Sequence, residues 1–296
     1  MSPTVAHFAL LLAAAFWGFG NIAQKTVLDY LGPLGATCLR CAIAAAVLLP
    51  FALSEPRKSD DEAWWHSIFI VSVTFAAAIS LQQMAYQSTS VTNASFLVNT
   101  ATVLTPLVAW LFLQQKTGRT GLAAAAMTLL GACLMSDAAS GFTALTSGDV
   151  LCLLSALFYA FWMVALGHHA QHHARPFSSA FVQFAFAAVA SFPPAIVIEG
   201  IDMPAVAAAA PELAVLGLLS TAAAFSLQTV AQRYTTASRA AVLVSGESIF
   251  GAVGAYAFLG ERPQWHVLSG ALLIFTAIMI VAFSAHVPAA ESEQEG

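Results

Sequence analysis

Glu247 is the one acidic or basic residue that falls near the middle of an apolar segment of this 296-residue chain. A charged side chain inside a hydrocarbon layer is costly unless it faces protein or water. Glu247 shares a helical face with Gly251 and Gly254, at spacing i, i+4, i+7, and faces of small residues pack against other helices. Three roles are open. The carboxyl group carries a proton that is exchanged against a substrate, attracts a substrate amine, or is a neutral packing group.

Polar and aromatic side chains recur at helical spacing along several other apolar segments. Trp17 and Asn21 lie four residues apart, as do Gln82 and Tyr86, so each pair shares a helix face. Amides can bind both an ammonium and a carboxylate group, and aromatic rings can hold an apolar side chain. Together with Glu247, the candidate substrate-binding residues are Trp17, Asn21, Gln82, Tyr86, Asn99, Tyr159, Trp162, Gln228 and Ser245. The alternative is that these side chains only hold helices together, or that Tyr159 and Trp162 lie at the membrane interface.

Two residue patterns could bind a metal, but each has a simpler structural explanation. Residues 168–173 read HHAQHH, and the i, i+4 pairs of histidines could chelate a metal on a continuous helix; the alternative is a solvated helix end. Cys38 and Cys41 have CxxC spacing, but a zinc site needs more ligands than this pair supplies. We predict no metal site, no cofactor and no catalytic residues.

The composition identifies an integral membrane protein. Apolar residues make up 59% of the chain and charged residues 8%, whereas a soluble domain carries roughly a quarter charged residues. The 10 basic and 15 acidic side chains cannot cover the surface of a soluble globule of this length, and no basic stripe offers a surface for nucleic acid. Functions of soluble enzymes and of nucleic-acid-binding proteins are therefore excluded, and the lipid bilayer is a predicted partner.

The apolar segments are long enough for ten transmembrane helices. A helix needs about 20 apolar residues to cross the hydrocarbon layer. Glycine and proline residues fall between the segments, where breaks in the helices belong. The predicted spans are 5–24, 34–53, 66–86, 92–113, 119–136, 149–167, 178–198, 211–232, 239–259 and 265–286.

The distribution of lysine and arginine predicts the orientation of these spans. Cytoplasmic loops of membrane proteins carry an excess of both residues. With a cytoplasmic N-terminus, seven basic residues lie in cytoplasmic loops and three lie outside, namely Lys25, Arg40 and Arg262. Both termini are therefore predicted to face the cytoplasm.

The chain contains an internal repeat. Residues 76–82 (AAAISLQ) match residues 222–228 (AAAFSLQ) at six of seven positions, with an offset of 146 residues that also aligns the next two spans. Each half holds five spans, an odd number, so the second half must enter the membrane upside down relative to the first. Inverted repeats of this kind build secondary transporters with a site between the halves. We predict one repeat at 1–140, a second at 147–290 and an acidic tail at 291–296.

The motifs resemble those of the drug/metabolite transporter superfamily, in particular its EamA-type ten-helix members. Phe16-Trp17-Gly18 stands where the family has Trp-Gly in its first helix, and Leu39-Arg40 matches the Arg-aliphatic start of its second helix. The segments 236–241 (TASRAA) and 258–262 (FLGER), with Glu247 between them, are similar to the family's second repeat. The resemblance covers nearly the whole chain. It implies an all-α membrane protein with ten transmembrane helices, arranged as two inverted five-helix repeats around a central cavity.

Within this superfamily, the chain looks like the YddG-type amino-acid exporters. This resemblance implies export of small metabolites, amino acids with aromatic or other neutral side chains, by alternating access across the bacterial inner membrane. A small-molecule substrate and the bilayer are then the expected partners, no nucleic acid is involved, and a monomer is expected to be functional.

Other functions are also compatible with parts of the sequence. An aromatic cavity with one carboxylate suits a multidrug or lipophilic-cation efflux transporter of the same superfamily. An intramembrane enzyme is disfavoured, because Ser245 has no histidine in the apolar core of another span to act as its base. The sequence lacks a GxxxxGK[ST] motif for an ATP-driven pump. A channel is compatible with the repeat, and saturable counter-transport would exclude it.

Overall fold

A computed structural model describes residues 1–56, 61–89, 91–135, 146–259 and 264–284, and all regular secondary structure in these ranges is helical. The α-helices are α1 (Pro3–Thr26), α2 (Pro33–Ser54), α3 (Asp61–Ala85), α4 (Val91–Asn99), α5 (Ala101–Leu113), α6 (Arg119–Met135), α7 (Ser147–His172), α8 (Pro176–Pro194), α9 (Met203–Ala208), α10 (Ala210–Ala214), α11 (Ala224–Ala231), α12 (Ala237–Val244), α13 (Glu247–Leu259) and α14 (Trp265–Phe283). A 3₁₀ turn (Val27–Asp29) follows α1, and π-helical segments (Ala195–Glu199 and Val215–Ala223) follow α8 and α10. The FLGER motif from Gly260 onward, Arg262 and the predicted tail 291–296 lie outside the described residues.

Helices occur in all ten predicted spans, but not every one is a single long helix. In the described ranges, eight helical segments are long and apolar enough to cross a membrane. The fifth predicted span corresponds to α6, which is apolar but has 17 residues. The ninth corresponds to α12 and α13, which have 8 and 13 residues. The prediction of an all-helical, multi-pass membrane protein is therefore confirmed, and the count of ten spans stays a prediction.

Two predicted spans are interrupted at corresponding positions of the repeat. The fourth span breaks at Thr100, between α4 and α5, and the ninth breaks at Ser245 and Gly246, between α12 and α13. The 146-residue offset of the repeat aligns Thr100 with Gly246. At each break a hydroxyl group donates to a carbonyl oxygen three residues earlier, from Thr100 to Leu97 and from Ser245 to Val242. Such local bonds compete with the helical pattern, so both helices end in the same way.

The helices contact each other in a pattern that relates one half of the chain to the other. α2 packs along α8, and α6 packs along α14. α1 contacts α11 and α13, while α7 makes the corresponding contacts with α3 and α5. A two-fold axis that exchanges the halves predicts this pattern, because each contact then has a counterpart. The pattern agrees with the inverted repeat, which stays a prediction.

Two glutamates connect the ends of α2 and α8. Glu55, directly after α2, accepts hydrogen bonds of 2.9 and 2.8 Å from the backbone N–H groups of residues 177–178 at the start of α8. Glu199, at the end of the π-helical segment after α8, accepts bonds of 2.9 and 2.8 Å from residues 34–35 at the start of α2. First-turn N–H groups lack partners within their own helix, and the helix dipole favours an anion there. Each helix of this antiparallel pair therefore caps the other.

The short helix α6 is held against α14 by a close crossing at two glycines. A Cβ atom on Gly131 would lie 2.6 Å from the carbonyl oxygen of Gly270, and a Cβ atom on Gly270 would collide with the carbonyl oxygen of Gly131. Small residues allow this approach, which membrane helices need because close packing replaces the hydrophobic effect there.

His169 joins three helices at one end of the bundle. Its ring is fully buried, and Nδ1 and Nε2 lie 2.9 Å from Ser67 Oγ in α3 and 2.8 Å from Ser179 Oγ in α8. The guanidinium group of Arg175 lies 4.6 Å from the ring of Trp64, which contacts the His169 ring. His169 is therefore a packing residue rather than part of a solvated helix end. In the described ranges, no group of three or more His, Cys, Asp and Glu residues is placed to hold a metal ion.

Candidate functional site

A cavity lies between the two halves of the chain. Together with the part that opens to solvent, its empty space is about 610 Å³. The two interrupted spans and the helices α1, α2, α3, α7 and α11 contribute its walls. The lining residues are Trp17, Asn21, Gln24, Arg40, Gln82, Val98, Asn99, Ala101, Thr102, Tyr159, Trp162, Met163, Phe225, Gln228, Ala241, Val244 and Glu247.

Most of the candidate residues chosen from helical spacing are brought together in this cavity. Their role in binding a substrate stays a prediction. The residues that line the cavity are Trp17, Asn21, Gln82, Asn99, Tyr159, Trp162, Gln228 and Glu247. The structure does not place Tyr86 or Ser245 among the lining residues.

Tyr86 is buried beside the cavity because α3 ends before it. The helix ends at Ala85, so the four-residue spacing from Gln82 does not put both side chains on one helix face. The ring packs in an apolar cluster with Ala94 and Leu97. The Tyr86 hydroxyl group lies 3.4 Å from Asn21 Oδ1, to which it donates. Tyr86 therefore supports a lining residue instead of lining the cavity.

Ser245 is turned away from the cavity by the helix break. It lies in the turn between α12 and α13, and its hydroxyl group donates to the carbonyl oxygen of Val242. Ser248 connects the two broken spans, because its Oγ accepts a hydrogen bond from Asn99 Nδ2. The spacing argument assumes a continuous helix over 239–259, whereas Ser245 lies in a turn between two helices, so its role in binding stays a prediction.

Four aromatic rings form an apolar wall. The ring centroids of Trp17 and Phe225 lie 4.7 Å apart, those of Trp162 and Phe225 5.4 Å apart, and those of Tyr159 and Trp162 6.0 Å apart. The indole N–H of Trp17 donates to the carbonyl oxygen of Ser220 over 2.8 Å. Because this polar atom is satisfied, the Trp17 ring offers apolar surface to the cavity.

Glu247 lies where α1 crosses the start of α13. It is the first residue of α13, a position at which the helix dipole favours a negative charge. Its Oε1 accepts a 2.7 Å hydrogen bond from Asn21 Nδ2. The crossing is close because Gly18 has no side chain: a Cβ atom there would lie 2.6 Å from the Glu247 carbonyl oxygen. The face with Gly251 and Gly254 packs on α1, as the sequence predicts for a face of small residues.

Arg40 lies in the wall of the cavity, and its predicted position in an outer loop is wrong. The side chain is 2% exposed and belongs to α2. Arg40 falls inside the predicted span 34–53, and an ionisable residue inside a membrane helix indicates a functional site. This signal identifies Arg40 as a candidate, whereas the count of loop residues places it outside because it lies close to the start of the span.

Three uncharged side chains hold the Arg40 guanidinium group. Nε donates to Thr221 Oγ1 over 2.9 Å, Nη1 to Gln24 Oε1 over 3.2 Å, and Nη2 to Ser220 Oγ over 3.1 Å. Ser220 and Thr221 belong to the π-helical segment Val215–Ala223, and π-helical turns are frequent at functional sites. Spacing rules for α-helices could not have placed these two partners.

Gln82 and Gln228 occupy equivalent positions of the repeat and differ in their hydrogen bonds. Gln82 Oε1 accepts a 2.7 Å bond from the hydroxyl group of Tyr159. Gln228 Nε2 donates to Gln232 Oε1 over 3.3 Å, while the buried Gln228 Oε1 has no partner among the described residues. Buried polar atoms are nearly always paired. The Gln228 oxygen is therefore an acceptor without a donor among the described residues.

Comparison with known proteins places the chain in a family. The profile of the EamA-like transporter family matches residues 4–137 and 146–283. An uncharacterized transporter of Archaeoglobus fulgidus is 27% identical over 277 residues, which cover 94% of this chain and 85% of that protein. A protein of known crystal structure has 17% identity and a TM-score of 0.78 over 95% of this chain and 99% of its own, so the two share a fold. Since the two matched segments take in most of the chain, this multi-pass membrane protein belongs to the EamA-like transporter family.

Proposed function

We propose that this protein is a secondary transporter that exports amino acids with aromatic or other neutral side chains across the bacterial inner membrane. The observation that carries the proposal is the location of the cavity between two interrupted spans, α4–α5 and α12–α13, at corresponding positions of the two halves. In secondary transporters, interrupted helices in corresponding positions of two repeats indicate the substrate site.

The walls of the cavity suit an amino acid. The aromatic wall, with Trp17, Trp162 and Phe225, offers apolar surface to a side chain. The amide oxygen of Gln228 offers an acceptor to the ammonium group of a free amino acid. No covalent chemistry is needed, because transport requires only that the solute shifts the balance between two conformations.

The proposed mechanism is alternating access by two inverted five-helix repeats. In this mechanism both termini face the cytoplasm, ten helices cross the membrane, and the halves rock about the cavity. The exchange of helix contacts between the halves supports this arrangement, as do the aligned breaks in the fourth and ninth spans.

Counterflow in liposomes tests the proposal. Liposomes that contain the purified protein and unlabelled phenylalanine should accumulate labelled phenylalanine saturably, and other neutral amino acids should compete. The variant Trp162→Leu removes a ring from the cavity wall and should abolish counterflow. The matched control Trp265→Leu changes a ring that is 87% exposed and should leave the rate unchanged. If no amino acid supports counterflow, the assignment of the substrate is wrong.

Efflux of lipophilic cations is the second candidate, because the carboxylate of Glu247 lines an aromatic cavity. Cells that express the protein would then resist toxic cationic compounds and would not release amino acids. Measuring resistance and amino-acid efflux in the same strain separates the two functions.

A further inference from the structure

We infer that the cavity holds a two-part site for a zwitterion, in which Arg40 binds the anionic group of the solute and Gln228 Oε1 binds its ammonium group. This inference rests on the proposed function and assigns the residues that select the charged ends of the substrate.

Among the described residues, no carboxylate forms a hydrogen bond with Arg40. A buried charge is normally paired, because it is costly to remove an ion from water without compensation. Arg40 is 2% exposed, and the partners of its guanidinium group, Gln24, Ser220 and Thr221, are all uncharged. These bonds use three of the five N–H donors of an arginine. The two remaining donors can bind a carboxylate, for which a guanidinium is the preferred partner.

The position of the guanidinium group is set from both halves of the chain. Gln24 belongs to α1, whereas Ser220 and Thr221 belong to the π-helical segment of the second half. A group held from several sides loses little freedom when a ligand binds, which increases affinity. Arg40 is therefore a binding group whose geometry exists before the solute arrives.

Glu247 does not neutralise Arg40 directly, because two amides connect them. Arg40 donates to Gln24 Oε1, Gln24 Nε2 donates over 2.7 Å to Asn21 Oδ1, and Asn21 Nδ2 donates over 2.7 Å to Glu247 Oε1. All three hydrogen bonds run in the same direction. The amide groups separate the two charges, so the positive charge of Arg40 stays available to a solute.

Gln228 supplies the second part of the site. The side chain is 1% exposed and lines the cavity. One N–H of its amide donates to Gln232 Oε1, and the amide oxygen has no partner among the described residues. A carbonyl oxygen accepts hydrogen bonds and cannot donate them. It therefore binds an ammonium group and rejects a carboxylate.

This arrangement discriminates against a cation that has no anionic group. Such a solute leaves the charge of Arg40 unpaired and brings a second positive charge near it. Repulsion of the wrong ligand is a standard source of specificity. A solute with a carboxylate and no ammonium group leaves Gln228 Oε1 unpaired instead.

Competition in the counterflow assay tests the site with four compounds of similar size. The compounds are phenylalanine, phenylalaninamide (no carboxylate), 3-phenylpropionate (no ammonium) and phenethylamine (no carboxylate). For the unaltered protein, we expect phenylalanine to compete with labelled phenylalanine at least about tenfold more strongly than each of the others. Equal competition by phenylalanine and phenylalaninamide in the unaltered protein would overturn the inference without any variant.

Variants of Arg40 and Gln228 test which residue causes each preference for phenylalanine over the other compounds. Arg40→Gln removes both the positive charge and the planar fork, and should bring the ratio of phenylalanine to phenylalaninamide close to one. Gln228→Met keeps the side-chain size and should reduce only the preference over 3-phenylpropionate. The control Gln87→Met alters an exposed glutamine that does not line the cavity, and should leave both ratios unchanged. Unchanged ratios in Arg40→Gln would show that Arg40 does not bind the carboxylate.

The outcomes separate this inference from the proposed function. If amino acids are transported but compete no better than phenethylamine, the function stands and the two-part site is wrong. If lipophilic cations are transported and amino acids are not, the proposed function is wrong and the inference is overturned with it.

Discussion

Each side chain in the cavity wall has a role that depends on what its polar atoms already bind. Asn21 and Gln24 lie between a guanidinium group, which can only donate, and a carboxylate, which can only accept. Only one orientation of the two amides satisfies both ends. The side chains of α1 therefore connect the charge of Glu247 to the position of Arg40, although these two residues are not in contact.

Removal of the carboxylate charge tests this connection. Glu247→Gln keeps the size of the side chain and an oxygen that can accept from Asn21, but removes the negative charge. Because hydrogen bonds to charged groups contribute about 1.5–3 kcal/mol, we expect the transport rate to fall by about tenfold or more. Counterflow rates at equal protein content measure this, with the thermal midpoint as the control for folding. An unchanged rate and an unchanged response to pH would show that Glu247 is a packing residue.

The two tyrosines near the cavity should respond differently to loss of their hydroxyl groups. Tyr159 lines the cavity and donates to Gln82 Oε1, whereas Tyr86 is buried beside it. Tyr159→Phe frees the Gln82 oxygen and should change the apparent affinity for the substrate about threefold to tenfold. Tyr86→Phe should lower the thermal midpoint with little effect on affinity. Saturation curves and melting curves of both variants check this, and equal effects on affinity would contradict the placement of Tyr86.

Helical spacing predicts lining residues well where the helix is regular. It selects Trp17 and Asn21 within α1, and Tyr159 and Trp162 within α7. It fails for Tyr86, since it contains no information on where a helix ends. It also could not identify Arg40 as part of the cavity wall, because the partners of Arg40 come from a distant π-helical segment.

At the level of helices, the shape of the cavity depends on where helices break and how they are capped, and apolar periodicity does not predict these positions. The breaks at Thr100 and at Ser245–Gly246 were not predicted from the sequence, because an apolar window of 20 residues does not show where hydroxyl side chains form local bonds. The repeat is detectable in the sequence, however. An interruption that occurs at the same position in both halves indicates a substrate site more strongly than a single interruption does.

The mutual capping of α2 and α8 should contribute measurably to stability. Glu55→Ala and Glu199→Ala each leave two first-turn N–H groups without their acceptor. We expect each variant to lower the free energy of unfolding by about 1–2 kcal/mol, and the effects to add because the sites lie at opposite ends of the pair. Melting curves in detergent measure this, with Glu62→Ala at an exposed position as the control. Loss of stability in the control alone would contradict the capping roles.

The crossing of α6 and α14 should be sensitive to a single methyl group. Gly270→Ala places a Cβ atom against the backbone of Gly131, and overpacking of this kind costs about 1–3 kcal/mol. Gly118→Ala is the matched control, because a Cβ atom there meets nothing within 4 Å. We expect a lower thermal midpoint for Gly270→Ala than for Gly118→Ala. Equal midpoints would show that the two helices are free to separate slightly.

For the whole molecule, the class of protein follows from the composition of the chain rather than from single residues. The low content of charged residues predicted a membrane protein, and the family match and the apolar helices agree with it. The burial of Arg40 changes the count of basic loop residues, because it removes one residue from the outer side. Lys25 and Arg262 then remain outside against seven inside, which favours the predicted orientation further.

The orientation can be checked with fusions at both ends of the chain. We expect a reporter that is active only in the cytoplasm to be active when fused before Met1 and when fused after Gly296. The physical reason is that an even number of crossings returns the chain to its starting side. A reporter that is active only in the periplasm serves as the opposite control. Activity of that reporter at the C-terminus would contradict the ten-helix arrangement and the inverted repeat.

The glutamates at the ends of α2 and α8 also limit how the protein can change shape. Since Glu55 fixes one end of this pair and Glu199 fixes the other, sliding of one helix along the other would break four hydrogen bonds. We therefore expect α2 and α8 to move together as a rigid body. The bending that opens the cavity to either side of the membrane is then expected at Thr100 and at Ser245–Gly246. A chemical cross-link between α2 and α8 should accordingly be harmless to turnover, whereas one across either hinge should stop it.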